Sequence, residues 1–329
     1  MSILSAKISI APMIDWTYSH FRVFMRFLAP QALLYTEMQT TGAIRNNSAK
    51  ALHYIPVEHP IAMQLGGSDP QALAESAKIS EQAGYDEVNL NLGCPSDKVQ
   101  AGRFGACLMN EPQQVSECIK AMKQAVSIPV TTKTRIGIDN QDSYAFFSDF
   151  THRLVEAGSD KLIVHARKAW LNGLNPKQNR TIPPVNYDYV YQIKQDIPHL
   201  PVIINGNILT LNEIKEHLKH IDGVMLGRLA CDNPYLIAEI HHALYPDSLQ
   251  ITRSNLFARY LDYLLAEHGQ GAPLSLLIKP IFNLAHGMPG ASQWKKKLMH
   301  IMQSKDISLF SELKGYLSEL ELIKDYEPS

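Results

Sequence analysis

Cys94 closes a short apolar run, Glu87-Val88-Asn89-Leu90-Asn91-Leu92-Gly93, and Pro95, Ser96 and Asp97 follow at once. A cysteine inside an element is ordinarily an inert apolar filler, but a thiol where a strand gives way to a loop can exchange a proton or act on a substrate. Gly102, Arg103, Phe104 and Gly105 give the loop beyond it the composition of a lid. Seven further runs of the same kind occur, and most also finish on polar groups. The first ends in Pro12-Met13-Ile14, the third carries Gln64, and the fourth carries Asn89 and Asn91 before Cys94. The fifth ends in Lys133 and Arg135, the sixth in His165 and Arg167, the seventh in Asn205-Gly206-Asn207 and the eighth in Gly227-Arg228. Polar groups inside apolar strands need partners, since burying one unpaired costs a few kcal/mol. A folded barrel requires none of them, so the whole set points to a site rather than to a core network.

The seventh and eighth ends carry glycine. In many barrels the loops after these two strands bind a phosphate through backbone N–H groups, where glycine permits close approach. Arg228 adds charge there, while Lys133 and His165 are placed to contact a conjugated ring whose negative charge grows on reduction. Flavin mononucleotide (FMN) answers that description: one phosphate and one electron-accepting ring. No G-x-G-x-x-G follows the first strand and no P-loop is present, so no other nucleotide site competes.

The elements that must position these residues are eight buried strands alternating with helices. The strands are expected over 8–14, 33–38, 61–66, 87–93, 129–135, 161–167, 201–207 and 223–228, each short and apolar as a parallel barrel requires. Asp69-Pro70 opens a helix to Ala83, with Gly84 as its stop. Helices follow from Glu111-Pro112 to about Val126, from Ser143 to Ala157, over 211–221 behind Thr210 and Glu213, and from Asn233-Pro234 to Tyr245. Residues 42–54 show little periodicity. The fold class is α/β, a TIM (β/α)8 barrel over 1–246, followed by an all-α helical bundle over 247–329. The bundle helices are expected over 253–268, 273–286, 291–303 and 308–324.

The 329 residues suit a barrel plus an appendage, and 45% hydrophobic with 19% charged residues is an ordinary globular composition. No segment reaches the roughly 18 apolar residues of a membrane span, and Met1–Ser5 has none of the features of a signal peptide, so the expected location is the cytoplasm. The four cysteines, at 94, 107, 118 and 231, form no C-x-x-C pair, so no metal site is expected; the last three read as structural thiols. A net charge of −1 gives no general argument for nucleic acid. Locally it is otherwise. Residues 253–305 hold seven Lys/Arg, including Lys295, Lys296 and Lys297, against two acids, whereas the last 24 residues hold six acids and two bases. A triple-lysine run is usually a solvated face, but this excess on a domain without catalytic residues favours phosphate contact.

Asn89-Leu90-Asn91-Leu92-Gly93-Cys94-Pro95, followed by Gly105-Ala106, resembles the signature of the tRNA-dihydrouridine synthases. The likeness extends through Ala11-Pro12-Met13, Gln64-Leu65-Gly66-Gly67, Lys133-Thr134-Arg135-Ile136-Gly137, His165-Ala166-Arg167 and Asn205-Gly206-Asn207. Residues 169–184 resemble the A subgroup, which acts on uridines 20 and 20a of the tRNA D-loop; Thr134 stands where many of its members carry His. The resemblance implies a flavin barrel with a helical domain, NADPH as reductant of FMN, and hydride delivery to uracil C6 with a proton from Cys94 to C5. It further implies cofactor contacts from Pro12, Met13, Ile14, Gln64, Lys133, His165, Asn205, Gly206, Asn207, Gly227 and Arg228. Asn91 would hold the uracil edge, and Arg135, Lys177, Arg180, Lys296 and Lys297 would contact tRNA. A monomer is expected. Two other readings use part of the same residues. A flavin dehydrogenase of a free pyrimidine such as dihydroorotate leaves the basic helices and the Lys177–Arg180 loop without purpose, and an RNA-binding protein on an inactive barrel leaves Cys94, Lys133 and His165 without purpose.

Overall fold

The structure is a computed structural model and describes residue 4 and residues 6–324; Met1–Ser5, Leu4 apart, and the last acidic residues Asp325 and Glu327 lie outside the described residues. Contacts divide the chain into two compact units. One holds residues through Thr17 together with Leu33–Gly227, and the other holds Tyr18–Ala32 and the chain from Arg228 onward. This differs from the division at 246, because Ser19–Leu28 and Pro234–Leu244 cluster with the later helices.

The first unit is a closed parallel barrel. Its strands are β1 (Ile8–Ile10), β2 (Leu33–Tyr35, resumed at Gln39–Thr40), β3 (Ile61–Gly66), β4 (Glu87–Leu92), β5 (Val130–Arg135), β6 (Leu162–His165), β7 (Val202–Asn205) and β8 (Gly223–Leu226). Each pairs in parallel with the next, and β8 closes on β1 through Ile10 opposite Leu226. Between the pairs Tyr35–Ala62 and Gln39–Leu65, β2 advances four residues and β3 only three, so β2 carries one extra residue, a bulge that interrupts it. β3 and β5 end where expected, and β1, β4, β6, β7 and β8 end earlier because the chain there turns outward into the loops.

Side chains two apart on a strand share a face. Glu87, Asn89 and Asn91 therefore line up inside the barrel along β4. An apolar cluster of Ala11, Leu33, Tyr35, Ala62, Ile163, Ile203 and Met225 fills other inward positions, with Met13 against it. The barrel helices follow their expected signals. Asp69 accepts from Ala72 N at 2.7 Å to cap Pro70–Gln82, Ser143 caps Tyr144–Glu156, and Thr210 with Glu213 forms a capping box on Leu211–His217, which ends four residues early. Residues 42–54 contain two short helices, Thr41–Asn46 and Ser48–Ala51.

In the second unit, Arg253–Gly269, Ala291–Ser304 and Phe310–Lys324 are helices near their expected bounds. The expected helix over 273–286 is instead Leu274–Ile278 and a 3-10 turn, Lys279–Ile281, because Pro280 has no N–H to continue the ladder. Trp294 is fully buried, donates to Ile281 O at 3.0 Å and meets Phe257 edge-on at 5.3 Å. Glu321 accepts from Arg253 N and the Ser254 hydroxyl, both at 2.5 Å, and so ties the last helix to the start of Arg253–Gly269.

Candidate active site

Parallel pairing brings the C-terminal ends of the strands level. Gln64 lies opposite Asn89, Asn91 opposite Lys133, Arg135 opposite His165, His165 opposite Asn205, and Asn205 opposite Met225. The residues scattered over 64–205 in sequence thus share one end of one barrel.

Cys94 is half-buried. Its loop is held from below by Asn91, whose Oδ1 accepts from Gly93 N at 3.1 Å and Cys94 N at 3.0 Å. From above, Cys94 O accepts from Ala106 N at 2.9 Å, so the lid segment folds back on the cysteine. Gly105 makes that return possible: its φ is +78°, and a Cβ there would lie 2.5 Å from Cys94 O and 2.4 Å from Val99 Cγ1. The lid is itself ordered as a short helix, Asp97–Ala101, and a 3-10 segment, Gly105–Asn110. The thiol lies 3.6 Å from the Ser96 hydroxyl. The other three cysteines are free as well. Burial raises the Cys107 thiol and pushes those of Cys118 and Cys231 up to about 12, which leaves them inert.

Lys133 is the second centre. Its Nζ donates to Asn205 Oδ1 at 3.2 Å, and Asn205 Nδ2 donates to Met225 O at 2.9 Å. Burial, with the neighbouring Arg135 charge, pushes the ammonium down to about 7, and the Cys94 sulfur works against that. Gly206 follows with φ +121° and Asn207 with φ +55°. A Cβ on Gly206 would stand 2.7 Å from the His165 ring, so glycine is what lets this turn close over the histidine. Tyr187 clamps the same turn by donating to Gly206 O at 2.7 Å. Gly227 is open, since a Cβ there meets nothing nearer than Ala11 Cβ and Met13 Sδ at 3.8 Å. Met13 is partly buried in a turn whose carbonyl accepts from Trp16 N and Thr17 N, Pro12 is partly buried beside it, and Ile14 is 55% exposed. Arg228 opens the helix Arg228–Asp232 of the second unit.

Arg135, expected to contact tRNA, has protein partners on two loops. It is buried, donates from Nε to Gly93 O at 3.1 Å and from Nη1 to Asn179 O at 3.0 Å, and burial lowers its pKa. It is a strut between the Cys94 loop and the loop over 168–184. Lys177 and Arg180 are exposed on that second loop. Thr134 alternates with Lys133 and Arg135, so it faces outward; its hydroxyl donates to Arg135 O and approaches Met109 Sδ at 3.6 Å. The side chain at 134 is therefore remote from the polar groups inside the barrel. In the helical unit Lys296 is exposed, while Lys295 and Lys297 lie over the rings of Phe282 and Tyr316 at 5.7 and 5.5 Å. Lys296, Lys297 and His300 line a cleft with Leu309 and Glu312.

Two residues that shape the site receive no role from the sequence. Asn179 is fully buried and bonds Trp170 N at 2.8 Å, Trp170 O at 2.9 Å and Leu174 O at 3.0 Å, building the 168–184 loop from within. Gln100 donates to both Pro95 O and Leu171 O, at 2.9 and 2.7 Å, and so joins that loop to the lid. Among the described residues no group of three or more His, Cys, Asp or Glu side chains is placed to hold a metal, and no helix is long and apolar enough to cross a membrane.

The sequence profile of the dihydrouridine synthase (Dus) family matches residues 9–319. The chain belongs to that family. It is similar to the curated tRNA-dihydrouridine(20/20a) synthases of Yersinia pestis, at 52% identity over 294 residues (89% of this chain, 85% of that one), and of Salmonella typhi, at 53% over 294 residues (89% of each). The same enzyme of Vibrio parahaemolyticus is 50% identical over 296 residues, 89% of this chain and 91% of that one. Among solved structures, 2-naphthoyl-CoA reductase in complex with 2-naphthoyl-CoA superposes with a TM-score of 0.54 at 11% identity, over 72% of this chain and 50% of that chain. At that identity the likeness concerns the fold alone. The family assignment makes the chain an oxidoreductase, and the barrel end around Cys94 and Lys133 is its candidate active site.

Proposed function

We propose that this member of the family is a tRNA-dihydrouridine(20/20a) synthase, reducing the C5–C6 double bond of uridines 20 and 20a in the tRNA D-loop with FMN as cofactor and NADPH as reductant. The observation that carries the reading is the half-buried Cys94 thiol, held between Asn91 and Ala106 over the barrel end that contains Lys133, in a chain half identical to curated synthases of that activity.

The residues present fit FMN. Lys133 is a half-buried cation with one neutral acceptor, and none of the described carboxylates pairs with it; a ring that gains negative charge on reduction supplies the missing counter-charge. The open backbone at Gly227 and the turn at Gly206 and Asn207 suit a phosphate, with Arg228 next along the chain. Gln64, His165, Pro12, Met13 and Ile14 complete the set that would surround the ring, with Asn205 orienting Lys133. When bound and reduced, FMN supplies hydride to C6 of the uracil. Cys94 acts as general acid and gives its proton to C5. Asn91 spends its Oδ1 on two backbone amides and one Nδ2 hydrogen on Gln64, which leaves the other hydrogen for a uracil carbonyl. Arg135 serves by bracing both loops. A uridine must leave its stack to reach this depth, at a cost of about a few kcal/mol, and Lys177, Arg180, Lys296 and Lys297 supply phosphate contacts that offset it. The enzyme acts in the cytoplasm as a monomer, with residues 247–329 contributing to RNA binding.

The test is direct. Purified protein is denatured to release its flavin, and the native protein is incubated with NADPH and unmodified tRNA transcripts. FMN in the supernatant, and dihydrouridine at positions 20 and 20a by mass mapping, are expected. Protein that neither carries nor binds flavin, or that leaves the D-loop unreduced, refutes the reading.

A further inference from the structure

Glu87 stands at the N-terminal end of β4, fully buried and away from the loops. Its Oε2 accepts from Lys161 Nζ at 2.6 Å, and its Oε1 accepts from the Tyr35 hydroxyl at 2.7 Å and the Thr131 hydroxyl at 2.5 Å. From Thr131 the bonds continue without a break. Asn89 Nδ2 donates to Thr131 Oγ1, Gln64 Nε2 donates to Asn89 Oδ1, and Asn91 Nδ2 donates to Gln64 Oε1, each at 2.9 Å. The last member, Asn91, accepts the amides of Gly93 and Cys94.

The direction of this chain is determined from both ends. A carboxylate paired with an ammonium accepts only, so Thr131 must donate to it and has lone pairs left for Asn89. Asn89 must then present its oxygen to Gln64, and Gln64 its oxygen to Asn91. Every amide in the series could otherwise rotate by half a turn and exchange its oxygen for its nitrogen. At the far end the N–H groups of Gly93 and Cys94 require an acceptor, and the orientation imposed by Glu87 delivers one. Bonds aligned head to tail also polarise one another in the same sense. Lys161 and Tyr35 hold the carboxylate in place from its other sides.

We propose that Glu87 is a positioning residue for the reaction: through the one-way relay Thr131–Asn89–Gln64–Asn91 it fixes which face Asn91 shows to the Cys94 loop and which to the substrate. The inference rests on the reading of the site as a uridine reductase, and it adds a control point at the opposite end of β4 from the reacting thiol. A merely structural role would need the bonds but not their direction.

Thr131→Val cuts the relay while leaving the Glu87–Lys161–Tyr35 cluster intact, and Thr131→Ser keeps the hydroxyl. Each is compared with the parent holoenzyme in steady-state reduction of tRNA and in the rate at which iodoacetamide alkylates Cys94, followed by mass spectrometry of its peptide. For Thr131→Val, kcat should fall roughly 10–100-fold, as for a reacting group displaced by a fraction of an ångström to about 1 Å. KM for tRNA should stay within about threefold and the alkylation rate should change by more than about threefold, while Thr131→Ser should match the parent within about threefold in both. Asn89→Leu cuts the next link and is read the same way if Thr131→Val does not fold. A variant with the relay cut and parental kcat and alkylation rate overturns the proposal. So does equal impairment of the Val and Ser variants, which would make packing at β5 the cause. If the parent itself fails to reduce tRNA, the functional reading falls, and the alkylation rates alone still decide the relay.

Discussion

Lys133→Met should make the flavin-free protein more stable and the flavin-binding protein worse. The native side chain is half-buried, and its ammonium is held near 7 rather than its ordinary 10.5, chiefly by desolvation. That gap corresponds to roughly 4–5 kcal/mol of destabilisation when the charge is forced to remain. Methionine fills a similar volume without charge, but it strands Asn205 Oδ1, which accepts from Lys133 at 3.2 Å; a lost partner of that kind costs about 1–3 kcal/mol. The net expectation is a gain of roughly 2–3 kcal/mol near pH 7, or about 5–10 °C in Tm at a few degrees per kcal/mol. The sign with pH follows from linkage. Below about 7 the lysine is charged folded and unfolded, and the penalty is complete. Between about 7 and 10.5 the unfolded chain binds the extra proton, so the parent gains stability by up to about 1.4 kcal/mol per pH unit while the variant does not. Calorimetry of both apoproteins at pH 7, 8 and 9 should show the variant ahead at pH 7 and the gap closing as pH rises. FMN affinity should be lower in the variant throughout. A variant less stable than the parent at pH 7, or a gap that does not move with pH, would refute the account of Lys133 as a cation held without a counter-charge for the flavin.

Four other outcomes follow from the same geometry. Cys94→Ala should keep FMN and its reduction by NADPH, yet lose tRNA reduction by roughly the 10²–10⁴-fold of a general acid, measured by stopped-flow absorbance for the first step and dihydrouridine mapping for the second. Gly206→Ala sets a methyl 2.7 Å from the His165 ring at a φ of +121°, a strain of about 1–3 kcal/mol; the purified variant should come off the column depleted of FMN, which absorbance at the flavin band reports. Replacing Lys295, Lys296 and Lys297 by Gln should weaken binding to every tRNA and flatten the salt dependence by up to about 0.7–0.9 per lost phosphate contact, and filter binding at several salt concentrations would expose an unchanged slope. Lys177→Ala with Arg180→Ala should alter the ratio of dihydrouridine at 20 to that at 20a more than total affinity, because both side chains project from the loop that Arg135 ties to the Cys94 loop and Gln100 to the lid.

The strand ends were legible in the sequence because a polar residue inside an apolar run is costly unless it has a purpose, and eight such runs set a barrel that brings their ends level. Helix starts were equally readable wherever one side chain does the capping, as at Asp69, Ser143 and Thr210. Ser19–Leu28 was not. Its Arg22 and Arg26, four apart, have the spacing of a solvated face, yet both are buried, and Arg26 Nη1 donates to Pro30 O and Ala32 O at 2.7 Å each. Such partners belong to the turn after the helix and leave no periodic trace. The bracing role of Arg135 was not legible either. Its position on the strand sends it inward, where it donates to carbonyls that only the folded loops provide.

Lys161 shows the limit most sharply. A lysine that opens a strand ordinarily reads as solvent-exposed, and a glutamate that opens the strand two places earlier around the barrel reads the same way. Neither residue signals burial by itself, and 74 positions separate them in sequence. Burying both is tolerable only because each neutralises the other and Tyr35 and Thr131 take the remaining bonding capacity of the carboxylate. An apolar pair of similar volume would close that end of the barrel at no electrostatic cost. What it would not do is give the amides of Gln64, Asn89 and Asn91 a direction. Apolar side chains such as Ala62, Ile163, Ile203 and Met225 fill the interior around the charged pair; Glu87 stands on β4, the strand that leads to Cys94, and that placement is what ties the buried charge to the relay proposed above.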